Sequence, residues 1–533
     1  MKKIDYRLLC KAVLISLIPF ALCVIVCLTQ GGSISKVFLP NSQWNDEVFY
    51  FKQVEGIINY GFPQGFFGFN ESHARLFSFS AWSPALYVPW SLWGRVFGWN
   101  LMSPVIANIV FLSVALFITV ILIKPDLKQT IFFAVILLCF RSSARYMLSV
   151  VPEIICHSFA ILITALGISY QDKESNAKLT LMFILSGYAF LMRPYMGLFI
   201  FLPMFFLCKK KKGFGVLLSL VIGLVTMGLY YFISKYLQAD YFGEIIRKGW
   251  IRAFFERGFV GGVKNLIDTL RSASEYFFKE IGNYFKAGRP QGAYCFVYIG
   301  TAAVLLLHSV DSVIRTISLK KSGKREEYEK QKRSLPVIIH MTLCFAAMYA
   351  ALLLMYDLQP GARHFLVYIS AAMIVLVRIS HNMIPKFVAA VALFAVGFWV
   401  RPMDPYEIKV PFVNEEAIAK REYWSETFDR EIELNTDDTP NYDNTVLWVY
   451  TDEKDSETIL SDWTSFYYLP KGMGISCTQA SYAAEHFDSL RSRYIMVPKG
   501  GMVDALCVEH GYTLIGEYEG NKDSAMVYLN GKQ

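Results

Sequence analysis

Long apolar runs, parted by short polar stretches rich in lysine, fill the chain up to about residue 400 and predict a bundle of membrane-crossing helices. Met1 to Lys11 carries Lys2, Lys3, Arg7 and Lys11, and an apolar run from Ala12 to Leu28 follows. The run is long and no small-x-small site closes it, so it predicts an uncleaved first span with the N-terminus in the cytoplasm. Further runs lie at Pro104–Ile123, Ile131–Phe140, Met147–Ser169, Gly215–Ile233, Ala293–Val313, Val337–Tyr356, Phe365–Val377 and Phe387–Val400. Leu179–Leu207 is apolar except at Arg193-Pro194 and would reach about 43 Å as one helix, too long for one crossing. An arginine at the bilayer centre costs roughly 2.5–3.5 kcal/mol, and Pro194 breaks the helix beside it. Two short passes with Arg193 at the outer surface meet both constraints.

The polar stretches orient these spans. Lys124–Lys128, Gln171–Lys178 and Lys209–Lys212 belong inside, and Arg315–Arg333, the most basic stretch, anchors the topology on the cytoplasmic side. About eleven spans result, in a transmembrane domain covering residues 1–400. Two segments too polar to span, 31–102 and 234–290, predict outer loops whose aromatic content suits amphipathic helices at the interface. From Arg401 the pattern becomes that of a soluble domain. Val413–Glu433 predicts an amphipathic helix, followed by a strand at Thr445–Tyr450 and helices at Ser456–Trp463 and Ser481–Leu490. A strand at Tyr494–Val497, a helix at Met502–His510 and strands near Thr513–Tyr518 and Ala525–Leu529 complete it. The expected fold is therefore a polytopic α-helical membrane protein with a small extracytoplasmic α/β domain at residues 401–533. No internal repeat or low-complexity segment is visible.

Composition agrees with the pattern. The 533 residues are 54% hydrophobic and 18% charged, with a mean hydropathy of +0.36, where soluble chains run nearer a quarter charged. The net charge of +8 is concentrated beside apolar runs and nowhere interleaved with aromatics, so nucleic acid is not an expected partner. Ten cysteines lack CxxC or Cys/His spacing, which argues against zinc. Of these, Cys477 and Cys507 lie in the polar C-terminal part, where a single disulfide and two free thiols are both compatible with an extracytoplasmic setting.

Candidate chemistry sits where the topology gathers polar groups on the outer side: Asp46, Glu47, His73, Arg75, Arg141, Arg145, Glu153, Arg193, Arg363 and His364. Ionisable groups at a membrane boundary are costly and often functional. A carboxylate can accept the proton of an attacking hydroxyl, and arginine can hold a phosphate through paired N–H donors. Simpler roles exist for single members: Arg141 and Arg145 can snorkel to headgroups, and Glu153 can stabilise the helix start after Pro152. Asn70-Glu71-Ser72 fits the N-glycosylation pattern, which matters only in a secretory eukaryote. The polarised lysine loops fit a bacterial plasma membrane better, and His73 is expected to be a loop residue. An acidic pair with no certain third carboxylate supplies too few hard ligands for a divalent cation, so no cofactor is expected.

Asp46-Glu47-x-x-Tyr50 after the first span, followed by Trp82-Ser83-Pro84-Ala85-Leu86-Tyr87 and Leu92–Gly98, resembles the first outer loop of GT-C glycosyltransferases. The nearest group is the one that includes protein O-mannosyltransferases and lipid A aminoarabinose transferases. Leu191-Met192-Arg193-Pro194-Tyr195 is similar to a recurring stretch of that group, and Arg363-His364-Phe365-Leu366 resembles its late Arg-Tyr turn with histidine in place of tyrosine. The resemblance implies a GT-C-like membrane transferase that takes a sugar from a polyprenyl-phosphate donor on the outer side and gives it to a glycan, lipid or protein acceptor. It further implies Asp46 as general base with Glu47 in support, and Arg193, Arg363, His364, Arg141 and Arg145 around the donor phosphate. Glu153, Tyr50 and Tyr195 would support them.

Other functions remain compatible with the chain. A transporter or flippase for lipid-linked sugars would place polar groups near the midplane and often show repeat symmetry. A polysaccharide polymerase shares many spans and outer arginines, and a receptor would use the C-terminal domain to sense a ligand.

Overall fold

The fold is that of a computed structural model, which describes residues 5–37, 45–61, 67–71, 83–237, 247, 249–356, 358–378, 383–400, 412, 415–428, 445–450, 467–470, 473–519 and 524–531. Helix α1 (Tyr6–Ser16) opens at Asp5, whose carboxylate accepts from the backbone N–H of Arg7 and Leu8. Leu17 separates it from α2 (Ile18–Thr29), and together they form the first apolar stretch. Helices α3 (Asn45–Tyr60) and α4 (Val88–Phe97) belong to the first polar segment. Next come α5 (Ser103–Ile123), α6 (Leu127–Cys139), α7 (Ser142–Met147), α8 (Glu153–Asp172) and α9 (Asn176–Met192). The start of α6 is set by a capping box in which Asp126 and Gln129 satisfy each other's backbone N–H.

The second half of the bundle holds α10 (Phe201–Tyr236), α11 (Gly249–Glu256), α12 (Gly258–Ala287), α13 (Pro290–Lys321), α14 (Arg325–Met355), α15 (Leu358–Gly361), α16 (Phe365–Val377) and α17 (Met383–Ala395). Among the described residues, six stretches are long and apolar enough to cross a membrane, and four shorter apolar helices accompany them. The chain is thus a multi-pass helical membrane protein.

Local chemistry explains where the helices depart from the apolar runs. The run Met147–Ser169 is broken, because α8 starts only after Pro152, which has no N–H to give to a preceding turn. Arg193 is extended (φ −150°, ψ 125°) and ends α9, as expected of a residue before proline. A 3₁₀ segment, Pro194–Ile200, then leads into α10, whose backbone breaks at Lys212 (φ 46°, ψ −127°) inside the lysine cluster. The basic stretch Arg315–Arg333 is no open loop. Its lysines and arginines are good helix formers and extend α13 and α14 to leave a turn at Ser322–Lys324.

The centre of the bundle is formed by α8 and α16. Every residue of Phe365–Val377 is buried, and His157 of α8 meets Ser370 of α16 at 2.6 Å between Nδ1 and Oγ. By contrast α10 exposes most of its apolar surface, including Leu217, Leu220, Leu224 and Val225, as a lipid-facing helix would.

Among the described residues, five strands of the C-terminal part and one from the first polar segment form a six-stranded sheet in the order β1-β3-β2-β4-β6-β5. Its strands are β1 (Phe67–Phe69), β2 (Thr445–Tyr450), β3 (Gly474–Gln479), β4 (Tyr494–Pro498), β5 (Thr513–Glu519) and β6 (Ser524–Leu529). The first four are mutually parallel, and β6 joins β4 and β5 antiparallel. Helices α18 (Glu415–Phe428), α19 (Ala480–Glu485) and α20 (Met502–Glu509) accompany the sheet. The helix expected at Ser456–Trp463 lies outside the described residues.

Two strands have no counterpart in the sequence expectation. Strand β3 reads Gly-Ile-Ser-Cys-Thr-Gln, small and polar residues without a clear apolar alternation. Strand β1 comes from the first polar segment and pairs with β3 at a separation of some four hundred residues, Phe69 opposite Cys477. The sheet buries both faces. Leu447, Val449, Ile495 and Val497 pack with residues of α19 and α20, whereas Val446, Trp448, Ile475 and Cys477 join the core continuous with the helical bundle. Cys477 and Cys507 therefore fall on opposite faces and are both free thiols.

Candidate functional site

Three helix ends meet at one point of the bundle. Glu153 is the first residue of α8 and is fully buried, Arg193 caps the end of α9, and Arg363 and His364 directly precede α16. Arg193 Nη2 donates to Glu153 Oε1 at 2.9 Å, and Arg363 Nε stands 3.3 Å from the same oxygen. Arg193 Nη1 lies 3.1 Å from His364 Nδ1. A guanidinium only donates, so the imidazole nitrogen facing it accepts. The Tyr195 ring closes over His364 at 4.7 Å, its own carbonyl held by the Tyr368 hydroxyl at 2.5 Å, and Tyr356 lies 5.6 Å from the same imidazole.

Proline chemistry builds this centre. Pro152 forces α8 to begin at Glu153, and Pro194 forces α9 to stop at Arg193, so two ionisable side chains emerge where their helices end. Charged groups so deeply buried persist only when paired, and removing one partner of such a pair costs on the order of 3–5 kcal/mol.

Helix α3 lies against the same region. Glu47 is buried, and its Oε1 accepts from the backbone N–H of Val150 at 3.4 Å, in the segment between α7 and Glu153. Tyr50, one turn on and hence on the same face, is buried against Tyr87 at 6.0 Å and lies within electrostatic reach of Arg193, as does Tyr195. The backbone of Asp46 opens α3 beside Glu47, and its side chain lies outside the described residues, as do His73 and Arg75. Arg145 of α7 is buried with its guanidinium 5.8 Å from the Tyr146 ring, while the half-buried Arg141 sits 4.9 Å over Trp399.

Glu47, Tyr50, Glu153, Arg193, Tyr195, Arg363 and His364 are thus brought together. Three further residues were not foreseen. His157, four residues after Glu153 and buried on the same helix face, was legible from the i, i+4 spacing. Tyr356 carries no local signal. Lys52 is a buried lysine on α3 whose Nζ donates to Glu55 Oε2 at 2.9 Å and to the Leu469 carbonyl at 2.7 Å. With Phe51 meeting the Tyr467 ring edge-on at 5.3 Å, it joins α3 to the C-terminal part.

Fold and site together define a multi-pass membrane protein with a buried carboxylate–guanidinium–imidazole centre at one end of its bundle, beside a sheet-containing domain. No family model matches the chain, and no curated protein matches it. Among solved structures it is similar to the crystal structure of ArnT from Cupriavidus metallidurans bound to undecaprenyl phosphate. That alignment covers 97% of this chain and 97% of the other, at 11% identity and a TM-score of 0.41.

Proposed function

We propose that this protein is a GT-C-type glycosyltransferase of the bacterial plasma membrane. It moves a sugar from a polyprenyl-phosphate-linked donor to a cell-envelope acceptor on the outer face. The observation that carries the proposal is the convergence of Glu153, Arg193, Arg363 and His364, drawn from three separate segments, beside the helix that opens with Asn45-Asp46-Glu47.

In this reaction Asp46 takes the proton of the acceptor hydroxyl as its oxygen bonds to the anomeric carbon of the donor sugar. The bond from that carbon to the phosphate oxygen breaks, and the electron pair leaves with the polyprenyl phosphate. Attack opposite the leaving group inverts the anomeric centre. A phosphate leaving group needs positive charge and aligned N–H donors more than it needs a proton. We assign the phosphate contact first to Arg363, whose side chain is 10% exposed. Arg193, wholly buried, is assigned to hold Glu153 and His364. Arg141 and Arg145 draw the anionic donor inward, Glu47 orients the acceptor, and Tyr50 and Tyr195 wall the site. With guanidinium groups meeting the charge, the reaction calls for no metal.

The test is transfer of labelled sugar from a panel of undecaprenyl-phosphate sugars by the full chain in proteoliposomes. Donor-dependent transfer that Asp46→Asn abolishes supports the assignment. Translocation of intact donor without transfer would replace it with a flippase.

A further inference from the structure

Away from the buried ionic centre, a cleft of about 300 Å³ opens where the first polar segment meets the C-terminal sheet. Its floor is Leu447 of β2 and Thr478 of β3, and its walls are the Asn70-Glu71 turn on one side and Tyr482 and His486 on the other. We propose that this cleft binds the end of a carbohydrate chain. That the chain is the acceptor rests on the transferase assignment above; the binding itself does not.

The lining has the two features that sugar recognition requires. One face of a pyranose ring presents C–H bonds and stacks on a flat aromatic surface. Here the half-buried Tyr482 and His486 line the cleft and stack on each other, with centroids 4.1 Å apart and an interplanar angle of 18°, which leaves the outer face of each ring for a sugar. The sugar hydroxyls need donors and acceptors fixed in advance. Thr478 is buried and donates to Asn70 Oδ1 at 2.9 Å, which orients the amide and leaves its Nδ2 as a donor. His486 Nδ1 is 3.0 Å from the Tyr482 carbonyl, an acceptor only, so in the neutral ring Nε2 is left to accept. Small-ligand sites combine this mixture of aromatic wall and few fixed polar groups, at roughly 300–1,000 Å³. The cleft is at the low end of that range and suits a chain terminus.

The turn that builds the wall is held in an uncommon conformation. Asn70 and Glu71 are adjacent non-glycine residues with φ of 50° and 59°. Such backbone persists where surrounding bonds over-determine it, and such places are frequently ligand clamps. The Glu71 carboxylate accepts from the N–H of Arg491 (2.9 Å) and Ser492 (2.7 Å) and from the Ser492 hydroxyl (2.8 Å). Its own N–H donates to Ser476 Oγ at 2.7 Å, and Asn70 N–H donates to the Cys477 carbonyl at 2.9 Å. The carboxylate is therefore engaged in the scaffold, while Asn70 lines the cleft with its amide held by Thr478. Because this turn follows α3 in the same polar segment, a glycan docked here would sit on the stretch of chain that also carries Asp46.

The experiment is saturation-transfer NMR on the detergent-purified full chain with chitotetraose, mannotetraose and cellotetraose as probes. At least one should receive saturation, strongest at the C–H protons of a terminal ring. Tyr482→Ala should weaken its binding by about tenfold, and Tyr482→Phe should retain it. Asn70→Gly, which keeps the left-handed backbone and removes the amide, should weaken it as well. Absence of transfer to all three probes overturns the proposal, as does equal transfer to wild type, Tyr482→Ala and Asn70→Gly. Asp46→Asn should bind the probe normally, so a failed transferase assignment would leave this site standing.

Discussion

Glu153 and Arg193 stand 2.9 Å apart, both fully buried, at the first residue of one helix and just past the last residue of the next. The pair closes the hairpin of α8 and α9 at the end where Arg363 and His364 also arrive. Removing Glu153 takes the carboxylate from two guanidinium groups in a buried place, and removing Arg193 leaves that carboxylate to Arg363 alone. Arg193→Ala or Glu153→Ala should therefore lower stability by about 3–5 kcal/mol. The double variant Glu153→Leu/Arg193→Met should lose less than either single. Thermal unfolding of the detergent-purified protein reads this; an unshifted Arg193→Ala midpoint would show that the pair is dispensable.

Asp46 and Arg363 should separate chemistry from stability. Asp46→Asn is expected to cut turnover by roughly 10²–10⁴-fold with an unchanged unfolding midpoint. Arg363→Gln is expected to cost on the order of 10²–10³ in turnover, and Arg363→Lys less, because charge is kept while the paired N–H geometry is lost. A variant that unfolds in step with its loss of transfer would place these residues in the scaffold instead.

Metal removal should leave the reaction intact. Transfer rates before and after exhaustive chelation are predicted to agree, since in the proposed mechanism guanidinium groups supply the positive charge at the leaving phosphate. Restoration of a lost rate by added magnesium or manganese would require another account.

Lys52 ties α3 to the chain segment before β3. Lys52→Met should cost about 1–3 kcal/mol, because the Leu469 carbonyl and Glu55 lose their donor in a buried place. Faster proteolytic release of the C-terminal domain, with transfer reduced by misplacement of α3, is the expected phenotype. Unchanged cleavage kinetics would mean that the aromatic contact of Phe51 and Tyr467 suffices.

Two cysteines of the sheet domain should be silent at neutral pH. Burial raises the Cys477 thiol well above its usual range and pushes Cys507 up to about 12. In the folded state the reactive thiolate is therefore scarce, and both should resist alkylation until the domain is unfolded. The unfolded chain gives up these protons at a lower pH, so the domain should lose stability as pH rises above about 8.5. Rapid labelling in the native state, or a disulfide between them, would contradict the opposite-face placement.

Much of the transmembrane layout was legible because hydropathy and proline act locally. The apolar run at Pro104–Ile123 became α5 almost residue for residue, and the break at Arg193-Pro194 fell where a charged residue before proline must end a helix. Strand β2 was legible at Thr445–Tyr450 for its β-branched and aromatic content. Illegible were β1 and β3. Neither is strongly patterned, and β1 is specified by a partner far away in the chain. Among candidate site residues, Arg193, Arg363, His364, Glu153 and Glu47 stood out as ionisable groups bordering apolar runs. Lys52 did not, because nothing in Phe51-Lys52-Gln53 reveals that a carbonyl of the C-terminal part will bury its ammonium.

The amino-acid sequence by itself determined which segments are apolar enough to leave water, where helices must stop, and which charges border the membrane. Those follow from transfer free energies and backbone sterics, which depend on neighbours in the chain. Tertiary structure alone decided that Glu153 pairs with Arg193 and Arg363, that Glu47 meets Val150, and that Asn70 and Glu71 wall a cleft in a sheet completed from the other end of the chain. Burial makes those pairings obligatory, since a charge or N–H withdrawn from water must find its partner wherever packing brings one.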